Sequence, residues 1–371
     1  MKIAISTIND YGNYGNRLQN YALQTVIESL GYDVVTIRNM TIPDNGMGLK
    51  RKVRKQLGEN SKLTLFLKKL LSLFSHTKQL NYHREISFLN FTKINIKESD
   101  FKIDEETKMF DFDKKFDCYV IGSDQVWNYS FPRFSKFDFV EYSNKPKISY
   151  AASFGVNDIP DHLRDFYRTG LNGIDYISVR EKSGKKIVSD LTGAKATVVL
   201  DPTLLLSNEN WQEISTKKSY TEKFIVVYFL DEISKDDFSY IQKFTERNNY
   251  VIKRMFSRED EELWESGPDE FINLFSQAEA VFTDSFHAVA FSIIFNKYFE
   301  VFERNFKGPS MNSRIDTLLD DLDLADRWHS KSGNAKSIDY AKTMELLDIR
   351  KKESLSFLKN SLKGVESQIN G

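Results

Sequence analysis

A single cysteine leaves no partner for a disulfide and no ligand set for a cysteine-based zinc site. An excess of either charge is also missing, since 52 Lys and Arg stand against 53 Asp and Glu. That balance argues against a general nucleic-acid binder and leaves only local patches open. No uninterrupted apolar run reaches the roughly 18 residues that a membrane span needs. There is no H-E-x-x-H and no histidine cluster at zinc spacing, so metal chemistry is not expected; no G-x-G-x-x-G and no Walker lysine mark a nucleotide loop either. Met1-Lys-Ile-Ala-Ile-Ser6 reads as a strand that starts at once, with no charged leader, long apolar stretch or cleavage site. A soluble cytoplasmic protein is therefore expected. Cys118, within Phe116-Asp-Cys-Tyr-Val-Ile121, reads as a core residue rather than a nucleophile.

What the chain does have is aromatic bulk and length. Its 29 Phe and 17 Tyr can fill large cores, and 371 residues suggest two domains rather than one. Lys2–Ser6 reads as a strand, residues 9–16 as a Gly/Asn-rich loop, residues 17–30 as a helix stopped by Gly31, and residues 33–38 as a second strand. This is a βαβ opening. Further strands are expected at 116–122, 148–152, 176–180 and 197–200. A second series follows with strand 224–230, helix 235–248, strand 250–256, helix 268–278, strand 280–283, helix 286–295 and strand 298–302. The expected domains are 1–205, with a helical insertion near 45–95, and 206–335, followed by a C-terminal helix over 336–371.

The insertion is chemically distinct. Residues 50–78 hold nine Lys/Arg against one acid, Glu59, while Leu63, Leu67, Leu70, Leu71 and Phe74 recur at helical spacing. Two readings fit: a basic amphipathic helix touching an anionic membrane surface, or a helical hairpin packed on its own domain with a solvated basic face. The shortness of the stripe favours the hairpin, because such a stripe usually faces a core.

Four polar segments fall where strands end, which is where open α/β sheets bind ligands. Gly12, Gly15 and Asn16 open the first helix; they suit either backbone approach to an anion or a plain tight turn. In Ile121-Gly-Ser-Asp-Gln-Val-Trp-Asn128, Asp124 reads as a base, a hydroxyl acceptor or a helix cap. Arg180 closes a strand, able to take a carboxylate or phosphate bidentately or to pair with Glu181. Val281-Phe-Thr-Asp-Ser-Phe-His287 places an imidazole where turn becomes helix, either an acid–base group or a satisfied core histidine. Arg304, Lys307 and Arg314 follow in a segment suited to a phosphorylated ligand.

Taken in order, Asn13-Tyr-Gly-Asn16, Ile121-Gly-Ser-Asp-Gln-Val-Trp127, Tyr150-Ala-Ala-Ser-Phe-Gly155, Ser178-Val-Arg-Glu181, Leu200-Asp-Pro-Thr203 and Thr283-Asp-Ser-Phe-His287 resemble the polysaccharide pyruvyl transferase family over roughly residues 1 to 330. The resemblance implies an α/β fold of two Rossmann-like domains facing a cleft, GT-B-like. It implies a phosphoenolpyruvate donor, a glycan or lipid-linked glycan acceptor, a pyruvate ketal product and no cofactor. It also implies His287 and Asp124 as catalytic residues. Donor binding would fall to Arg180, Ser285, Arg304, Lys307 and Arg314, and acceptor binding to Asn16, Arg17, Gln125 and Trp127. One position departs from the family pattern: Ser285 stands where an Arg-x-His pattern would place arginine. A nucleotide-sugar glycosyltransferase of the same fold and a non-catalytic glycan-assembly subunit are the competing readings.

Overall fold

A computed structural model describes residues 1–41, 62–104, 110–304, 312–331 and 337–370. Its first half is built on seven parallel strands: β1 (Lys2–Ser6), β2 (Asp33–Asn39), β3 (Glu98–Ile103), β4 (Cys118–Asp124), β5 (Lys147–Ala152), β6 (Tyr176–Val179) and β7 (Thr197–Val198). They lie in the order β3-β2-β1-β4-β5-β6-β7. Every residue of β4 is buried, which is the apolar run that a strand covered on both faces requires. Helix α1 (Tyr14–Ser29) connects β1 to β2, and helices α2 (Lys62–Ser72) and α3 (His76–Asn95) precede β3. β3 was not expected from the sequence. It is an edge strand with only two apolar residues, Phe101 and Ile103, which leaves little hydrophobic signal after the helices before it.

The second half holds a four-stranded parallel sheet, ordered β11-β10-β8-β9, from β8 (Phe224–Tyr228), β9 (Val251–Met255), β10 (Ala280–Thr283) and β11 (Tyr298–Val301). Its helices include α4 (Lys235–Asn248), α5 (Pro268–Gln277), α6 (Phe286–Ile294) and α7 (Ser313–Asp321). The architecture is the expected one, α/β with two Rossmann-like sheets facing a cleft, GT-B-like.

The halves share one hydrophobic core. Leu18 and Ala22 of α1, Phe271 of α5 and Phe291 of α6 belong to the same buried cluster. Tyr14 stacks on Phe271 with ring centroids 5.1 Å apart. Fully burying a side chain of this size contributes about 1.5–3 kcal/mol. The last helix, α8 (Tyr340–Asn370), returns to the first sheet, where Ser354 Oγ accepts a hydrogen bond from Leu200 N at 2.9 Å. No helix among the described residues is long and apolar enough to cross a membrane.

The insertion departs from its favoured reading. α2 and α3 do form a hairpin, but the apolar stripe of α2 faces solvent: Leu63, Leu67, Leu70 and Leu71 are 40–55% exposed and Phe74 is 83% exposed. Thr64 and Ser72 are the buried residues of α2 instead. Residues 50–61 of the basic stretch lie outside the described residues.

Candidate active site

In each sheet the strand order reverses at one place: between β1 and β4 in the first, and between β8 and β10 in the second. Adjacent connections leave toward opposite faces there, opening a crevice beyond the strand ends. The two crevices meet in one cavity of about 670 Å³. The first half lines it with the loop around Asn9–Asn16 and with Asp124 and Gln125. The second half contributes Tyr228, Ser285, Phe286, His287, Arg304 and Arg314, and the hairpin adds Lys68, Asn81, Arg84 and Glu85.

Helix N-termini point at this cavity. α1 begins beside Gly15, α6 beside His287 and α7 beside Arg314. α6 has no side-chain cap at Ser285, so its first backbone N–H groups remain available to an anion. Among the described residues, five cationic side chains line the wall (Lys68, Arg84, Arg133, Arg304 and Arg314) against three carboxylates (Asp10, Glu85 and Asp124), which favours an anionic ligand.

His287 is the second residue of α6 and is 8% exposed. Its Nε2 lies 3.8 Å from Asp201 Oδ2 and has no hydrogen-bond partner among the described residues. Burial pushes the imidazole down from 6.5 to about 4; Asp201 and Asp124 oppose that shift, and Arg180 and Arg314 add to it. The ring is therefore neutral at pH 7.

Asp124 closes β4, and its Oδ2 accepts from Asn16 Nδ2 at 3.3 Å. Burial would raise its carboxyl, but Arg180, His287 and Arg314 outweigh that and leave it below its ordinary value. Arg314 Nη1 lies 4.0 Å from Asp124 Oδ1, and Nε of Arg314 is buried without a partner among the described residues. Burial first, then the nearby Arg180 charge, lowers this guanidinium to about 10. The ring of Phe286 sits between the two cations, 4.9 Å from Arg180 and 5.8 Å from Arg314.

Several expected site residues stand elsewhere. Arg180 is absent from the cavity wall and 3% exposed; its Nη2 turns inward to Ser123 Oγ and Asp201 Oδ2, so it lies one layer behind. Glu181 does not pair with it, but accepts from Ser153 Oγ and Phe154 N at 3.0 and 2.9 Å. Arg17 is fully buried and spent on Glu98, Ile8 O and Asn16 Oδ1, which removes it from acceptor contact. Trp127 is also fully buried. It stacks on Phe139 and donates its indole N–H to Asp138 O at 3.1 Å, a core role rather than an acceptor platform. Arg304 reaches the wall, its guanidinium steadied by two bonds to Asp284 O at 3.2 and 3.1 Å. Asn16, Gln125 and Ser285 also line the cavity, while Lys307 lies outside the described residues.

Two residues gain a place at the site that the sequence assigns to neither. Asp201 accepts from Thr203 N through Oδ1 and meets Arg180, Ser123 and His287 through Oδ2. Its Asp-Pro-Thr context signals only a helix cap. Arg84 donates to Tyr14 Oη, Trp264 O and Gly12 O at 2.6, 3.0 and 3.0 Å, tying the hairpin to both halves. No local pattern around Arg84 announces partners this distant.

The sequence model of the polysaccharide pyruvyl transferase family matches residues 13–305. No curated protein matches the chain. Among solved structures, UDP-N-acetylglucosamine 2-epimerase from Rickettsia bellii aligns at 9% identity and a TM-score of 0.45, covering 99% of this chain and 97% of that one. The UDP-GlcNAc 2-epimerase of Methanocaldococcus jannaschii, in complex with UDP-GlcNAc and UDP, aligns at 11% identity and 0.45, covering 94% and 92%. E. coli heptosyltransferase WaaC with ADP-2-deoxy-2-fluoro heptose aligns at 9% identity and 0.37, covering 83% and 90%.

Proposed function

The chain belongs to the polysaccharide pyruvyl transferase family, and from that premise we propose that it moves the pyruvyl group of phosphoenolpyruvate onto a sugar of a cell-surface polysaccharide precursor, forming a pyruvate ketal. The observation that carries this reading is the buried corner of Arg314, Phe286 and His287. There, unpartnered N–H and imidazole groups face a cavity with surplus positive charge beside an uncapped helix N-terminus.

The reaction moves protons and one group. A proton adds to the methylene carbon of the donor, a sugar hydroxyl bonds to the adjacent carbon, the bond from that carbon to the phosphate oxygen breaks, and a second hydroxyl closes the ring. Of the two hydroxyl protons, one balances the new methyl group and the other leaves with phosphate. No redox cofactor is required by this stoichiometry.

Arg314 and Arg304 would hold the donor's phosphate and carboxylate, supplying the charge that an arginine at position 285 would have supplied. The Ser285 hydroxyl and the first N–H groups of α6 complete that anion site. Arg180 supports it from behind. Asp124, held ionised, would take the proton of the attacking hydroxyl, with Asn16 and Gln125 orienting the sugar. Burial keeps His287 neutral at pH 7. A donor anion beside Nε2 would raise its pKa and so arm it as the acid for the methylene carbon.

Isothermal calorimetry tests the donor. Phosphoenolpyruvate should bind, and Arg314→Gln should weaken it by about 1.5–3 kcal/mol, the value of a charge-assisted contact. Binding of a nucleotide sugar such as UDP-N-acetylglucosamine, with none for phosphoenolpyruvate, would overturn the reading.

A further inference from the structure

The hairpin carries the inverse of an ordinary amphipathic helix. In α2, Leu63, Phe66, Leu67, Leu70 and Leu71 recur at i, i+3, i+4, i+7 and i+8, and all are 40–56% exposed. Leu73 and Phe74 extend the surface at 73% and 83% exposed. The side turned to the protein offers Thr64 and Ser72, both buried. A helix this apolar, presented outward, leaves a contiguous surface that water does not favour.

We propose that the outward face of α2 docks on an anionic lipid surface, lying in the headgroup plane with its Leu and Phe side chains inserted. Charge complementarity selects this partner. α2 has no acidic residue, and Lys62 and Lys69, both exposed, run along one margin of the apolar stripe. Lysines there can extend to phosphate headgroups while their stems cover apolar surface. The chain as a whole has a formal net charge of -1, so attraction to an anionic surface has to be local, and Lys62 and Lys69 supply it beside the apolar stripe. The same hairpin reaches the cavity through Lys68, Asn81, Arg84 and Glu85, so docking sets the cavity mouth beside the lipid headgroups. The inference does not depend on the reaction proposed above, because lipid binding is read without donor or acceptor.

Vesicle flotation of the full chain tests it, using phosphatidylcholine with about a third phosphatidylglycerol beside phosphatidylcholine alone. The protein should float with the anionic vesicles, more weakly at high salt. The combined variant Phe66→Gln, Leu70→Gln and Phe74→Gln should bind about tenfold less or weaker. These side chains are exposed, so the variant should melt with the wild type; circular dichroism checks that. Wild-type protein that stays off anionic vesicles at low salt overturns the proposal, as does a folded variant that floats undiminished. A dimer in sedimentation velocity that the variant converts to monomer also overturns it, by assigning the face to a second copy of the chain.

Discussion

Gly15 and His287 touch across the two halves: a Cβ built on Gly15 would stand 2.0 Å from His287 Nδ1. The first turn of α1 is therefore part of the wall that sets the imidazole. Only a residue without a side chain allows the ring this position, which gives Gly15 a steric reason unrelated to backbone freedom. Gly15→Ala should displace the ring by about an ångström and lower turnover by about 10²-fold. Ala suits a helix better than Gly by about 1 kcal/mol, so the melting temperature should fall little. A variant with full turnover would show that the ring position is not critical.

The neutral state of His287 predicts a pH dependence of stability. Its folded pKa of about 4 lies below the ordinary 6.5, so the unfolded chain binds the proton more tightly. The contribution is fully present above pH 6.5 and is lost as pH falls through about 4. Wild type should lose on the order of 3 kcal/mol from this group across that window. His287→Gln should show a correspondingly shallower loss in urea melts at pH 7 and pH 4.5. Parallel curves for the two proteins would rule out a depressed imidazole.

Asp124 separates charge balance from catalysis. Its carboxylate lies 3.6 Å from Arg180 Nη1 and 4.0 Å from Arg314 Nη1. Asp124→Asn removes the anion that competes with a donor for these guanidiniums. Phosphoenolpyruvate should then bind as tightly or more tightly while turnover falls by about 10²–10⁴-fold, the usual effect of losing a general base. Loss of donor binding together with turnover would instead mark Asp124 as a structural anchor.

Arg84 should matter to stability more than its place in an insertion suggests. Its guanidinium donates to three acceptors and lies about 5 Å from the rings of Tyr14, Phe88, Phe256 and Trp264. Arg84→Lys keeps the charge and loses the planar fork; it should cost about 2–3 kcal/mol in denaturant unfolding. A change within about 0.5 kcal/mol would show that the strap bears no weight.

The positions of the site were legible in the sequence, while their orientations were not. Strand ends at Asp124, Thr283 and Val179 follow from apolar runs broken by polar residues, and polar strand ends are where parallel sheets place ligands. Which way a neighbouring side chain turns depends on what packs beside it. Asp124 lines the cavity while Trp127, three residues on, is sealed beneath Phe139 and Phe154. Asn16 lines the cavity while Arg17 is drawn to Glu98, a residue of the unanticipated edge strand. The strand-end position of Arg180 suits an anion or a pairing with Glu181, but Asp201, beyond the end of β7, holds it inward.

The sequence by itself determined the family, the two parallel sheets and the order of their motifs, because periodicity and turn chemistry are local and survive in a linear string. Tertiary structure decided the rest. It brought Gly15 against His287 and Asp201 beside Arg180, and it turned the apolar face of α2 outward. Each of these depends on how residues far apart in the chain pack together, and the ion pair depends also on the low dielectric around it; neither is written in any single segment.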